Sequence, residues 1–213
     1  MAAVYLVRVA LPDVPGQLGA VATVMGANGA DITSVQVVGK DGADAVIDDF
    51  LVELAPGRLP DQLVSACQQL EGVRVDWIAF YPEGGSLASD LEALDLMTRD
   101  MSQAAESLTG SAVSVFHVNW AVLIDTTGPD GPVVTYATSR APDLATSQVV
   151  ALGDLDAVRE ITPEADWLPG WQDVVLAVAP VAGDRAIILG RQGGPAFLAP
   201  ELARFGHLAA LVR

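Results

Sequence analysis

The stretch Val4-Tyr5-Leu6-Val7-Arg8-Val9-Ala10-Leu11-Pro12-Asp13-Val14-Pro15-Gly16-Gln17-Leu18 sets the plan of the N-terminal half. Val4–Leu11 is apolar and β-branched, stops at Pro12 and reads as a strand. Asp13-Val14-Pro15-Gly16 then reads as a helix start. Asp13 suits the N-cap, with Val14 at N1 and Pro15 at N2, where a missing N–H costs nothing and the carboxylate accepts from the Gly16 N–H. Leu18, Val21, Ala22 and Met25 recur at helical spacing and are expected to face a sheet. Asn28-Gly29 closes the helix, because glycine takes the left-handed conformation freely.

Two strand-like segments follow, Ile32–Val38 and Val46–Leu54, joined through the hairpin signal Lys40-Asp41-Gly42. Pro56 and Gly57 break the chain. Leu59, Leu63, Cys67 and Leu70 mark a second amphipathic helix, Gly72 stops it, and Val73–Phe80 alternates as a fourth strand. Strand, helix, strand, strand, helix, strand is the split βαβ, or ferredoxin-like, plan: an antiparallel sheet with both helices on one face. Tyr81-Pro82-Glu83-Gly84-Gly85-Ser86 interrupts the periodicity. The expected division is a first domain over 1–81, a linker over 82–88 and a second domain over 89–213.

In the second half, Ser89-Asp90-Leu91-Glu92 has the capping-box pattern, followed by a stripe of Leu91, Leu94, Met97 and Met101. Residues 111–117 read equally as more helix or as an early strand. Trp120–Asp125 and Val133–Thr138 flank Gly128-Pro129-Asp130-Gly131 as a hairpin. Asp154–Glu160 reads as a short helix. Val174–Val181 and Arg185–Arg191 form a second hairpin around Ala182-Gly183-Asp184. A closing helix from about Pro200 is expected to bury Leu202, Phe205, Leu208 and Val212. The fold class is α+β throughout.

Composition excludes several functions. Eleven basic residues face twenty-seven acids, a formal charge of −16, with no basic run for phosphate contacts, so no nucleic-acid partner is expected. The same charge disfavours an anionic membrane surface. No apolar run approaches the ~20 residues that span a bilayer, and the N-terminus has no signal-peptide pattern; a cytoplasmic protein is expected. Cys67 is the only cysteine, which rules out an intrachain disulfide or a thiolate cluster. It falls on the apolar stripe of the second helix and reads as core. His117 and His207 lack partners at metal spacing, so no metal is expected. The pairs Asp48-Asp49 and Asp154/Asp156 read as solvated acids. No phosphate loop, dinucleotide glycine pattern or nucleophile motif appears, so neither a cofactor nor catalysis is expected. Trp167-Leu168-Pro169-Gly170-Trp171 reads as a loop packed over a sheet, with the mouth of a pocket or a partner surface as the alternatives.

The first eighty residues resemble the ACT family. The resemblance rests on a strand followed by Asp13-Val14-Pro15-Gly16-Gln17-Leu18, a short helix, and Gly29-Ala30-Asp31-Ile32 entering the second strand. It implies a small-molecule sensor, commonly for amino acids, whose ligand lies at the edge shared by two such domains. The implied ligand-binding residues are Asp13, Val14, Gly16, Gln17 and Leu18 on one side, and Asp31 and Ile32 on the other. A helix N-terminus offers free amides to a ligand carboxylate, and Asp13 or Asp31 is placed to receive its ammonium. Many amino-acid-binding members have Asn at the position of Asp31, where an acid repels an α-carboxylate. Because the chain has a single ACT-like unit, the resemblance also implies a homodimer.

Residues 87–213 resemble a GAF domain. The similarity lies in Trp120–Asp125, in Asp173–Val181 with Ala179-Pro180-Val181, and in Arg185–Arg191 running through Gly193-Gly194-Pro195-Ala196-Phe197 to Glu201-Leu202. Such domains bind small molecules or dimerise. The expected function is therefore a non-catalytic regulatory sensor that binds an amino acid at an ACT–ACT edge. The alternative is a scaffold or interaction module whose two folds hold no ligand.

Overall fold

The computed structural model describes residues 3–80, 87–171 and 173–212. The chain is mixed α+β and divides into two compact units, Met1–Glu83 and Gly84–Arg213. The turn-rich stretch 81–86 lies outside the described residues.

The first unit runs β1 (Ala3–Pro12), α1 (Gln17–Ala27), β2 (Ala30–Asp41), β3 (Ala45–Leu54), α2 (Pro60–Cys67) and β4 (Arg74–Phe80). Its sheet has the order β2-β3-β1-β4, antiparallel at every pairing. Alternation along β1 and β3 sends Val7, Val9, Leu11, Phe50 and Val52 to the face where Val21 and Met25 of α1 and Leu63 and Cys67 of α2 complete the core.

Several expectations shift here. Helix α1 starts at Gln17, not Val14, and its N-cap is Gly16 at φ 97°, so Asp13 does not cap it. Val14 precedes a proline, whose ring disfavours the helical region for the residue before it. Leu18 lies one turn ahead on the buried stripe but is exposed, as the stripe outruns the core. The β2–β3 turn is Gly42–Asp44, with Lys40 and Asp41 still in the strand. Leu59 is exposed at the N-cap of α2, directly before Pro60.

Cys67 is fully buried, and burial pushes its thiol pKa up. An aromatic disulfide reagent is expected to label native protein at the rate of unfolding, and denatured protein at once. Rapid labelling of the native state would contradict this placement.

The second unit runs α3 (Leu87–Arg99), a short 3-10 turn, α4 (Ala104–Val115), β5 (Trp120–Asp125), β6 (Val133–Ala137), α5 (Thr146–Val150), β7 (Arg159–Ile161), β8 (Val174–Val181), β9 (Arg185–Gln192) and α6 (Ala199–Ala209). The sheet order is β6-β5-β9-β8-β7, again antiparallel. It is covered on both faces. Leu123, Ala177, Ile187 and Leu189 pack with the helices, while Trp120, Val122, Leu176 and Ile188 pack with Val149, Leu155, Trp167 and Leu168.

Ser89 falls inside α3 rather than capping it. The helix buries Ala93 and Met97, leaving Leu91 and Met101 exposed. Residues 111–115 are helical and His117 takes a left-handed conformation at φ 51°. The helix expected over Asp154–Glu160 is absent. Arg159 instead starts β7, and its Nη2 donates to the carbonyls of Leu152 (2.9 Å) and Asp154 (2.7 Å), which a helical amide would otherwise satisfy. Trp167 is buried and its Nε1 donates to Gln148 O at 2.7 Å, so it is a packing residue that holds α5 to the loop.

Candidate functional site

The β1–α1 connection is built by competing backbone demands. Asp13 N–H donates to Asp44 O at 2.8 Å, which extends the β1–β3 pairing by one step. Val14 N–H turns back to Pro12 O at 2.8 Å, and Gly16, in a left-handed conformation closed to most side chains, redirects the chain into α1. A side chain added at Gly16 meets nothing within 4 Å, so the turn is open on that side. The first-turn amides of α1 have no partner within the helix, and they carry its positive dipole end.

Asp13 is exposed and its Oδ2 lies 3.5 Å from Lys40 Nζ, also exposed. Val14, Gly16 and Leu18 are exposed and Gln17 is half-buried, all around one turn. Asp31 and Ile32 are elsewhere. They start β2, opposite Glu53 and Val52 of β3, whereas Asp13 is level with the other end of β2, near Lys40 and Asp41. Nine residues of strand separate the two groups, roughly 25–30 Å at strand rise. One chain therefore does not bring the two halves of the candidate site together.

Strand β2 is at the edge of the sheet and is long for an edge strand. Residues 33–37 are exposed, including Val35 at 40% and Val37 at 64%. Such an edge presents an unpaired row of N–H and C=O groups.

The residue that sequence reasoning missed is Asp48. Far from being solvated, it is 2% exposed. It sits in the cross-strand row Val9–Asp48–Val37, on the helix-covered face of the sheet. Its Oδ1 is buried with no hydrogen-bond partner. Burial, and then the charges of Asp49 and Asp13, raise its carboxyl pKa above the usual value. Asp49 points to the other face and is not solvated either: Arg8 Nε and Nη2 donate to its two carboxylate oxygens, each at 2.8 Å. The alternation of Ile47-Asp48-Asp49-Phe50 held this information, since period two puts Asp48 on the side of Phe50.

A carboxyl group with a raised folded-state pKa binds its proton more tightly in the folded than in the unfolded state. Stability therefore falls as pH rises from the unfolded value through the folded one, and the cost persists above. Asp48→Asn is expected to stabilise the protein at neutral pH by roughly 1–3 kcal/mol, the scale of one unsatisfied buried group. The gain should vanish once acid protonates Asp48. Denaturant melts of both forms across pH test this; a pH-independent difference would contradict it.

The second unit has an open cleft of about 660 Å³ whose lining includes Val149, Val150 and Leu155 together with Asp154, Asp184 and Arg185. Arg185 Nε is held by Ala182 O at 3.0 Å. Among the described residues, no three His, Cys, Asp or Glu side chains gather as a metal site, and no helix is long and apolar enough to cross a membrane.

No protein-family model matches the chain, and no curated protein matches it. A crystal structure of an unknown protein from Galdieria sulphuraria is similar at 13% identity with a TM-score of 0.32, covering 98% of this chain and 92% of that one.

Proposed function

We propose that the first unit is an ACT-type, ferredoxin-like sensor domain that pairs with a second copy through β2 and binds an α-amino acid at the shared edge. The observation that carries this reading is the separation of the two site halves along an exposed edge strand. A two-fold axis through the middle of β2 sets residue 31 of one copy against residue 40 of the other. The β1–α1 turn of each copy then meets the start of β2 of its partner, and Asp31 of the partner subunit faces Lys40. Edge strands of this length are normally covered or paired. The open turn at Gly16 and the first-turn amides of α1 beyond Gln17, whose own N–H donates to Val14 O at 3.3 Å, supply a carboxylate site.

The second unit reads as a GAF-like module that transmits or integrates the signal. Trp120, Trp167 and Leu168 fill the face opposite the long helices, which favours a partner-binding or signal-transmitting role. The protein as a whole is then a non-catalytic regulator.

Sedimentation combined with calorimetry against the twenty amino acids tests this reading. A dimer that takes up one or more of them at up to millimolar concentration is expected, and a dimer that binds none sinks it. Lys40→Asp should weaken self-association, and adding Asp31→Lys should restore it. Gly16→Trp should abolish amino-acid binding. It should cost about 1–2 kcal/mol in stability, because only the left-handed backbone is strained and the space beside Gly16 is empty.

A further inference from the structure

We infer that the cleft of the second unit is a binding site for a small aliphatic amine, a primary ammonium group carried on an apolar body. The site is independent of the amino-acid edge of the first unit. Its lining comes from three stretches of chain: the residues after β5, α5 with the loop behind it, and the β8–β9 turn. Thr126 N–H and Oγ1–H both donate to Asp184 O, at 2.9 and 2.6 Å, and tie the first stretch to the third. Arg159 Nη2 donates to the carbonyls of Leu152 and Asp154 and so fixes the loop behind α5. A cleft whose walls are hydrogen-bonded in this way is preformed. Its volume of about 660 Å³ lies within the roughly 300–1,000 Å³ of small-molecule sites.

The cleft is apolar and acidic at once. Val149 and Leu155 belong to the core of this unit, while Val150, beside them in the lining, is 59% exposed. Asp154, Asp156 and Asp184 add three exposed carboxylates. Against them stands one guanidinium, that of Arg185. Its Nε donates to Ala182 O at 3.0 Å, and it lies across from Asp125 in the β5–β9 pairing. A phosphate, nucleotide or carboxylate ligand therefore meets net repulsion, and a cation is drawn in. The exposed valine rewards an apolar body on that cation. The described lining holds no aromatic ring, so it offers no cation–π cage for a quaternary ammonium. Carboxylates instead favour a head that donates N–H hydrogen bonds, as a primary ammonium does.

Amide NMR on the isotope-labelled full chain tests this with four probes: hexylamine, methylammonium, hexanol and hexanoate. Hexylamine is expected to move the amides of Val150, Gly153, Gly183 and Arg185 saturably. It should bind at least about tenfold more tightly than methylammonium, which lacks the body, or hexanol, which lacks the charge. Hexanoate should leave the cleft unmoved. Asp156→Asn with Asp184→Asn should weaken hexylamine about tenfold, the scale of two exposed charge contacts. The double variant should still melt like the unaltered protein, because both side chains are exposed and Asn tolerates the left-handed φ of 54° at position 184. Hexanol or hexanoate binding as tightly as hexylamine overturns the assignment, as does unchanged hexylamine affinity in the double variant. Shifts scattered over the whole acidic surface, or no saturable shift with any probe, overturn it too. A short Lys/Leu peptide that moves these amides where hexylamine moves none gives the cleft to a protein segment and overturns the small-molecule occupant.

Discussion

Gly190→Val is expected to unfold the second unit under conditions where the unaltered protein is folded. Gly190 lies directly opposite Trp120 in the β5–β9 pairing, and a Cβ there would overlap the indole of Trp120. Trp120 is completely buried and meets Trp171 edge-on, with centroids 6.0 Å apart at 88°. The neighbouring strands hold Gly190 in place, so the indole has to leave. The cost is then that of emptying a large aromatic site, about 3–5 kcal/mol. Denaturant unfolding followed by tryptophan fluorescence, with hydrogen exchange on β5 and β9, gives the measurement; a midpoint within error of the unaltered protein would refute the packing. Trp120→Val combined with Gly190→Ala should recover part of the loss, because residues in direct contact are not additive.

Arg191→Met should be comparably damaging. The guanidinium is fully buried and serves three elements. Its Nη2 donates to Phe116 O, at the end of α4, at 2.9 Å and to Glu201 Oε1 of α6 at 2.8 Å; its Nη1 donates to Pro195 O at 3.3 Å. It also stacks 4.1 Å above the Phe197 ring. Glu201 uses its other oxygen to accept from Leu198 N–H at 2.8 Å, which closes the first turn of α6. Removing the arginine strands a mostly buried carboxylate, at a cost of about 3–5 kcal/mol. Arg191→Lys should not rescue it, since one ammonium does not reproduce the planar fork. Arg191→Met with Glu201→Leu should recover part of the loss, as both charges then go together, though the α6 cap is lost. Calorimetric melting of the four proteins decides the matter; Arg191→Lys melting like the unaltered chain would show that charge alone suffices.

Neither position announces itself in the sequence. Gly190 reads as an ordinary glycine within Arg185–Arg191, and only the strand pairing places an indole across it. Arg191 looks like the polar end of a strand. Its burial follows from α4 and α6 closing over it, contacts that link residues 116, 191 and 201. Asp48 is intermediate. Its face was legible from alternation with Phe50, but its lack of a partner was not, because that depends on which strands flank β3.

The candidate ligand site divides in the same way. The turn at Asp13-Val14-Pro15-Gly16 was legible, since Pro12 and Pro15 restrict the backbone locally and Gly16 frees it. Helix α1 starts at Gln17 and not at Val14 because the restraint of Pro15 on Val14 outweighs the capping preference of Asp13. The separation of Asp31 and Ile32 from that turn came only with the sheet, since sequence spacing does not say which end of β2 lies beside the end of β1.

By itself, then, the sequence determined the α+β class, the element order of the first unit, most strands and the left-handed turn at Gly29. These depend on local preferences of a few adjacent residues: proline's fixed φ, glycine's freedom and two-residue alternation. Tertiary structure alone decided that α3 buries Ala93 and Met97 instead of Leu91, and that Arg159 replaces a short helix with a strand. It also decided that Asp48 is enclosed without a partner and that the two halves of the ligand site stand at opposite ends of an edge strand. Each of these turns on a neighbour distant in the chain, and such a neighbour is named only when the sheets have closed.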